Sequence, residues 1–482
     1  MTELQPERQP FADPTYRGML FGPLAGPTWL VVLGVGLHAL AWFMVATAVP
    51  GTVAELGGAP LVAWLTTLFE GASIVAGAAG GLTKQRIGAR RAMLTAVGLF
   101  CGGLLLAALA PSMEVVLAGR LLQGLGEGLV LALCYALIKD LFPERLVPRA
   151  FGLLAVVYAV AAFLGPVAAG ALTDLLSWRA AFAATLVPAG ALVVLVVRHL
   201  PPNGEEETRS VEPPLLRLAL LAGAIFCLAL AGNVAGWRIA ALGATAPALL
   251  LTALWLDVRA AAPLMPRTAF RIRSLVGLAY WVILLMPVAA SGAHVFAALF
   301  LVVLYGFSLT VAGYLVSLTA LAWSGAALLV AKLEEPVQVR RCIAAGPLLQ
   351  VSGLALTWVG FAVAWPDALA AALLAGGLAT LGSGFGLCWA FLTQAIVRHT
   401  PAQEGDLAAG LVPTVEIAGF GIGAALAGML ANLGGIGDPL TAAAARAASS
   451  PIFGAGAAIA GIAAGAALVL VRRLRRLGTA AG

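Results

Sequence analysis

Four ionisable residues, Glu70, Arg120, Glu127 and Glu416, stand inside long apolar stretches of this 482-residue chain. A charge at the centre of a bilayer costs at least ~2.5 kcal/mol on insertion scales, so such groups face a cavity or a partner. Arg120, Gln123 and Glu127 fall at i, i+3 and i+7, which puts them on one helix face within two turns. Gly124, Gly126 and Gly128 interleave with them and allow a neighbouring helix to come close. A partly dehydrated carboxylate on that face can load and release a proton near neutral pH, which is the physical basis of proton coupling. At a rise of ~1.5 Å per residue, Glu70 and Glu416 each lie ~14 Å from an end of their stretches, near mid-membrane, and His38 comes out at a similar depth.

Structural readings stand beside these functional ones. Glu127 can be a fixed counter-ion for Arg120. Glu416 sits among Gly410, Gly419, Gly421 and Gly423 and can hydrogen-bond across a close helix contact. His38 and His294 suit packing or pore lining as well as proton exchange. Asn233 suits helix–helix glue. Glu70 is isolated in its stretch, which favours a functional role. The expected substrate cavity draws on His38, Phe69, Gln123, Tyr158, His294 and Trp389, although aromatics also collect at the lipid interface.

The elements that must position these groups are membrane-spanning helices. The chain is 61% hydrophobic and 10% charged, outside the range of a soluble globular protein of this size. Six spans are predicted in residues 29–197: 29–49, 61–82, 92–110, 115–137, 151–172 and 181–197. A tight hairpin of 215–236 and 239–256 follows, joined by Trp237 and Arg238. Six more cover 275–304, 310–330, 343–363, 368–396, 407–430 and 452–471. The expectation is an all-α polytopic membrane protein with 14 spans. Its predicted units are an N-terminal tail 1–24, a six-helix bundle 25–198, a polar linker 199–214, a two-helix hairpin 215–257, a second six-helix bundle 258–471 and a basic tail 472–482.

The formal charge of +6 is an orientation signal. With both termini cytoplasmic, the map puts all 28 Lys and Arg inside except Arg179, Arg238 and Arg446 outside and Arg120 within a span. A nucleic-acid partner is therefore not expected. The polar start, Met1 to Arg17, has no cleavable signal pattern. Cys101, Cys134, Cys227, Cys342 and Cys388 lack CxxC spacing and read as packing residues, with no metal site. GxSxG, HExxH and Walker sequences are absent, so neither an enzyme nor an ATP-driven pump is expected. Abundant arginine and alanine beside three lysines point to a GC-rich bacterial genome. The segments Leu82 to Arg91 and Leu333 to Arg341 echo one another faintly, as in transporters built from repeated halves.

Several stretches carry a family resemblance. Gly81-Leu-Thr-Lys-Gln-Arg-Ile-Gly-Ala-Arg-Arg91 resembles the G-x-x-x-D-R-x-G-x-R-R loop motif of the major facilitator superfamily, with Gln85, Arg86, Gly88, Arg90 and Arg91 at its polar and turn positions. Arg120-Leu-Leu-Gln-Gly124 is similar to the R-x-x-Q-G run of its fourth helix. Gly165-Pro166 with Gly170 resembles the fifth-helix antiporter motif, and Trp178-Arg179 with Phe182 the opening of the sixth helix. Pro263-Leu-Met-Pro266 with Phe270, and Tyr305-Gly-Phe-Ser308 with Gly313, fit the second half. The combination points to the fourteen-helix drug:proton antiporter branch. Two positions depart from it: the loop aspartate is Gln85, and an acid usual in the first helix, nine residues before Pro50, is Ala41.

The resemblance implies a major facilitator fold of two six-helix bundles plus two helices between them. It implies a monomer in a bacterial inner membrane, exporting amphipathic or hydrophobic small molecules by alternating access. The proton gradient supplies energy and no cofactor is needed; the partners are substrate, protons and lipid. Glu70 is the expected substitute for the missing acid, assisted by Arg120, Glu127 or Glu416. The buried acids favour cationic or neutral cargo. The rival readings are an uptake symporter on the same fold and a non-transporting receptor or chaperone.

Overall fold

A computed structural model describes residues 16–143, 146–201, 214–234, 236–260, 263–401 and 404–480. The start of the predicted tail and nearly all of the predicted linker 199–214 lie outside these residues. Sixteen α-helices follow in order among the described residues: α1 Tyr16–Phe21, α2 Ala25–Leu56, α3 Val62–Ile87, α4 Ala89–Ala108, α5 Met113–Leu141, α6 Val147–Leu175, α7 Trp178–Ala184, α8 Leu186–His199, α9 Leu215–Ala231, α10 Trp237–Arg259, α11 Leu275–Tyr305, α12 Leu309–Val330, α13 Pro336–Ala362, α14 Asp367–His399, α15 Gly405–Leu433 and α16 Ala442–Ala480. With α7 and α8 taken as one broken span, thirteen are long and apolar enough to cross a membrane. This is a multi-pass membrane protein.

Several helices overrun the sequence-based spans, α2 to Leu56 and α13 from Pro336, and three further stretches differ in how they begin or end. The sixth span opens at Trp178, earlier than residue 181, and breaks at Thr185. Trp178 starts it there because its indole donates to Glu55 Oε2 at 2.7 Å. Helix α9 stops at Ala231, and its 17 residues reach only ~25 Å at 1.5 Å per residue. The hairpin turns at Gly232 and Asn233, so Trp237 and Arg238 belong to α10 and do not form the joint. Helix α16 starts at Ala442, ten residues before the expected position, where Thr441 Oγ1 accepts from Ala444 N at 3.2 Å. It also runs on to Ala480 through the expected basic tail.

Glycines set the helix crossings, because only a residue without Cβ lets one backbone rest on another. A Cβ on Gly124 or Gly128 of α5 would lie 2.2 Å from Phe69 O or 2.1 Å from Ser73 O of α3. The second half repeats this register: a Cβ on Gly382 or Gly386 of α14 would lie 1.8 Å from Thr319 O or 2.2 Å from Trp323 O of α12. Gly103 against Gly119 and Gln123 is matched by Gly353 against Gly377 and Leu381. Helices α3–α5 and α12–α14 are thus two copies of one packing scheme.

The halves meet along two seams, α3 with α15 and α6 with α12. At the second, a Cβ on Gly170 would sit 2.7 Å from Thr310 Cα, and one on Gly313 would sit 2.9 Å from Pro166 O. Gly165 lies against Phe43 and Met44. The glycine–proline element therefore does pack closely against the opposite half. Helix α9 packs on both α3 and α15, and α10 packs on α9. Asp257, buried at the end of α10, accepts from Leu264 N at 2.8 Å and Met265 N at 3.1 Å and pairs with Arg217 of α9.

Candidate functional site

Helices α2, α3, α5 and α15 bring Glu70, Arg120, Glu127, His38 and Glu416 into one electrostatic neighbourhood. Arg120, Gln123 and Glu127 share a face of α5 and are all buried, yet no ion pair joins Arg120 to Glu127 among the described residues. The seven-residue spacing holds them ~10 Å apart along the axis. Arg120 Nε donates to Leu65 O at 3.0 Å and Nη1 to Gln123 Oε1 at 2.6 Å, while its guanidinium lies 3.9 Å from the Phe69 ring centroid. A buried cation is thus held by neutral acceptors and a π face. The counter-ion reading for Glu127 is replaced by another pairing: Oε1 lies 2.5 Å from His38 Nδ1, and Oε2 accepts from Ser73 Oγ at 2.7 Å.

Glu70 is 1% exposed. The Trp42 side chain reaches its carboxylate, while Oε2 has no hydrogen-bond partner among the described residues. An unsatisfied buried carboxylate oxygen is expensive. Glu70 also faces the other half, its Cβ 3.2 Å from where a Cβ on Gly421 of α15 would lie. Glu416, on the same helix as Gly421, is partly exposed. Ala41, at the position of the missing first-helix acid, borders a separate small apolar cavity with Leu104, Gln123 and Phe182. Glu70 therefore lies on a different side of α2 from the residue it was expected to replace.

The expected cavity residues divide into groups. Phe69 and Tyr158 flank His38, with ring centroids at 6.4 and 6.0 Å. His294 stacks on Trp42 at 3.5 Å, and Phe420 meets that Trp42 at 5.0 Å. Together with Arg120 and Thr66, Trp42 and His294 border a cavity of about 10 Å³, room for about one water. Gln123 turns toward α4 and donates to Gly103 O at 3.0 Å. Trp389 belongs to a ring cluster of the second half with Trp323 and Phe385. Ser73, Trp42 and Phe420 were missed by sequence reasoning; Ser73 stands three residues after Glu70, on the same helix face.

At the Gly57 end of the bundle three groups tie the halves together. Asp174 Oδ2 accepts from Thr310 Oγ1 at 2.7 Å and Thr310 N at 3.2 Å. Asp438 Oδ2 accepts from Gly58 N at 2.7 Å. Asn432 Nδ2 donates to Pro60 O at 3.1 Å and to Gly232 O of the hairpin at 2.9 Å. Every residue of α2 from Phe43 to Pro50 is buried, whereas Val32, Leu33 and Leu40 toward the other end are partly exposed. Ties and buried packing thus join the halves at the Gly57 end. At the Lys84 end, Gln85 is exposed, and the ion pair of that corner is Lys84 with Asp140 at 2.5 Å. Gly88 makes the turn into α4 with φ 78°, a conformation that favours glycine. Gly81, Arg86, Arg90 and Arg91 lie along the same corner, Arg86 and Arg91 exposed.

Comparison with known proteins agrees with this architecture. The sequence model for the Major Facilitator Superfamily matches residues 31–424. A probable multidrug-efflux transporter of Mycobacterium tuberculosis is 31% identical, over 84% of this chain and 88% of that protein. A multidrug transporter protein of Bacillus subtilis is 24% identical, over 78% of this chain and 69% of its own. Among solved structures, a peptide transporter crystallised with sulfate superposes with a TM-score of 0.68 at 17% identity, covering 95% of this chain and 96% of that one. The chain is a transporter and belongs to the Major Facilitator Superfamily.

Proposed function

We propose that the protein is a proton-coupled exporter of amphipathic or hydrophobic small molecules, of the fourteen-helix drug:proton antiporter type, working as a monomer in a bacterial inner membrane. The distribution of Lys and Arg favours cytoplasmic termini, which would put the Gly57 end outside. The observation that carries the reading is Glu70, a buried carboxylate with a free oxygen set against the opposite half. A group in that place can be protonated in one state and stripped in the other, and so bias the equilibrium between them. The relatives' names as multidrug-efflux transporters support export of small molecules.

Purified protein in liposomes loaded with ethidium, given a pH gradient of either sign, tests both coupling and direction. The expected result is ethidium movement opposite to the proton gradient, lost in Glu70→Gln at unchanged protein level. Movement in the same direction as protons would make the protein an uptake symporter. No response to the gradient in the parent protein, for ethidium and a panel of neutral and cationic compounds alike, would remove the proposal.

A further inference from the structure

Glu127 is gripped from two helices by groups that neither the fourth-helix motif nor the reading above uses. Ser73 of α3 donates to one carboxylate oxygen at 2.7 Å, while the other lies 2.5 Å from Nδ1 of His38 of α2, both atoms buried and without a hydrogen bond to any other group among the described residues; His38, Ser73 and Glu127 are 8%, 2% and 1% exposed. The backbone is shaped for this grip. Gly34, one turn before His38, takes Cys134 Sγ at 2.3 Å from where its Cβ would be, drawing α2 onto α5. Gly128 rests on the Ser73 carbonyl and sets the hydroxyl beside Glu127.

Packing alone does not require these polar groups, because the other half makes the same crossing without them. In the register fixed by the glycines, Ser73 corresponds to Trp323 and Glu127 to Phe385. These two rings stack with centroids 4.5 Å apart and planes 10° from parallel. One half therefore closes the crossing with an apolar stack, and the other with a carboxylate held by a hydroxyl and an imidazole. Burying a polar network where apolar groups serve costs stability, which points to a task for it.

We propose that His38, Glu127 and Ser73 form a proton-sharing site lying wholly within the first half, with Ser73 as its positioning residue. The imidazole and carboxylate hold one proton between Nδ1 and Oε1. Loss of that proton to water leaves imidazole and carboxylate, and the Ser73 hydroxyl keeps the carboxylate in place in both conditions. The titratable groups around the pair are Glu70 on α3, Arg120, Cys134 and Tyr135 on α5, Tyr158 on α6 and, across the seam, Glu416 on α15. The site's place in the transport cycle rests on the proton coupling proposed above; its existence does not.

Infrared titration of the purified protein in lipid nanodiscs tests the site without transport. The carboxyl C=O band missing from Glu127→Gln reports Glu127. Its midpoint is expected to move by about one pH unit in Ser73→Ala, the scale of one hydrogen bond to a charged group, and to return in Ser73→Thr, which keeps the hydroxyl. In His38→Gln the band is expected to titrate as a lone carboxyl. A midpoint unmoved in both Ser73→Ala and His38→Gln overturns the proposal, and His38→Gln alone decides it if Ser73→Ala does not fold. Ethidium transport against pH in the same variants separates the two readings: a moved band with no pH-dependent transport in any protein leaves the site standing and removes proton-coupled export.

Discussion

The two halves use one scaffold for different ends. Aligned on their glycine contacts, Arg120 falls on Leu378, Gln123 on Leu381, Glu127 on Phe385, Glu70 on Ala320 and Ser73 on Trp323. The first half buries charge at positions where the second buries aliphatic and aromatic groups, and both crossings are equally close. Close packing is thus set by glycine placement, and the chemistry is added on the faces between. The second half contributes Glu416, His294 and the ring series through Phe420, Phe385 and Trp323. The asymmetry puts most of the buried ionisable groups in one half and an aromatic wall in the other.

Making the first half resemble the second breaks the comparison most severely at Arg120. Arg120→Leu copies Leu378 but leaves Glu70 and Glu127 without the one permanent cation near them. Losing the guanidinium leaves Leu65 O and Gln123 Oε1 buried without its hydrogen bonds, which costs about 1–3 kcal/mol, and ethidium transport is expected to fall at least ~100-fold, with a lowered Tm by calorimetry. Next come Gly128→Ala and Gly382→Ala. Each places a methyl about 2 Å from a backbone oxygen of α3 or α12, so both are expected to destabilise by about 1–3 kcal/mol. Similar Tm losses in the two variants sharpen the shared scaffold, and a loss confined to one half breaks it. The smallest effect belongs to the tie at the Gly57 end. Asp438→Asn weakens the hydrogen bond to Gly58 N by about 1 kcal/mol. Alkylation of cysteines placed on the Gly57-end halves of α2 and α11 should then rise about fivefold, while Tm stays within a degree or two.

The sequence foretells some of this and is silent on the rest, for physical reasons. That Arg120, Gln123 and Glu127 share a face follows from helical period alone, and their burial follows from the apolar residues around them. Their partners do not follow. Glu127 meets His38 and Ser73 because α2 and α3 cross α5 at chosen glycines, and such crossings are tertiary facts with no local signal. The fold class is legible because long apolar runs admit little else. Helix ends are less so: the break at Thr185 and the stop at Ala231 depend on contacts with Met44 and Asn432 from distant segments. Trp389 reads as a cavity aromatic from its apolar surroundings, but its ring joins the wall of the second half.

If Glu70 is the proton carrier proposed above, cargo binding displaces its proton, and proton release from purified protein in weakly buffered detergent on adding ethidium measures this. About one proton per bound ethidium is expected in the parent protein and in Gly382→Ala, and none in Glu70→Gln at equal ethidium binding. Equal proton release from Glu70→Gln and the parent would contradict it.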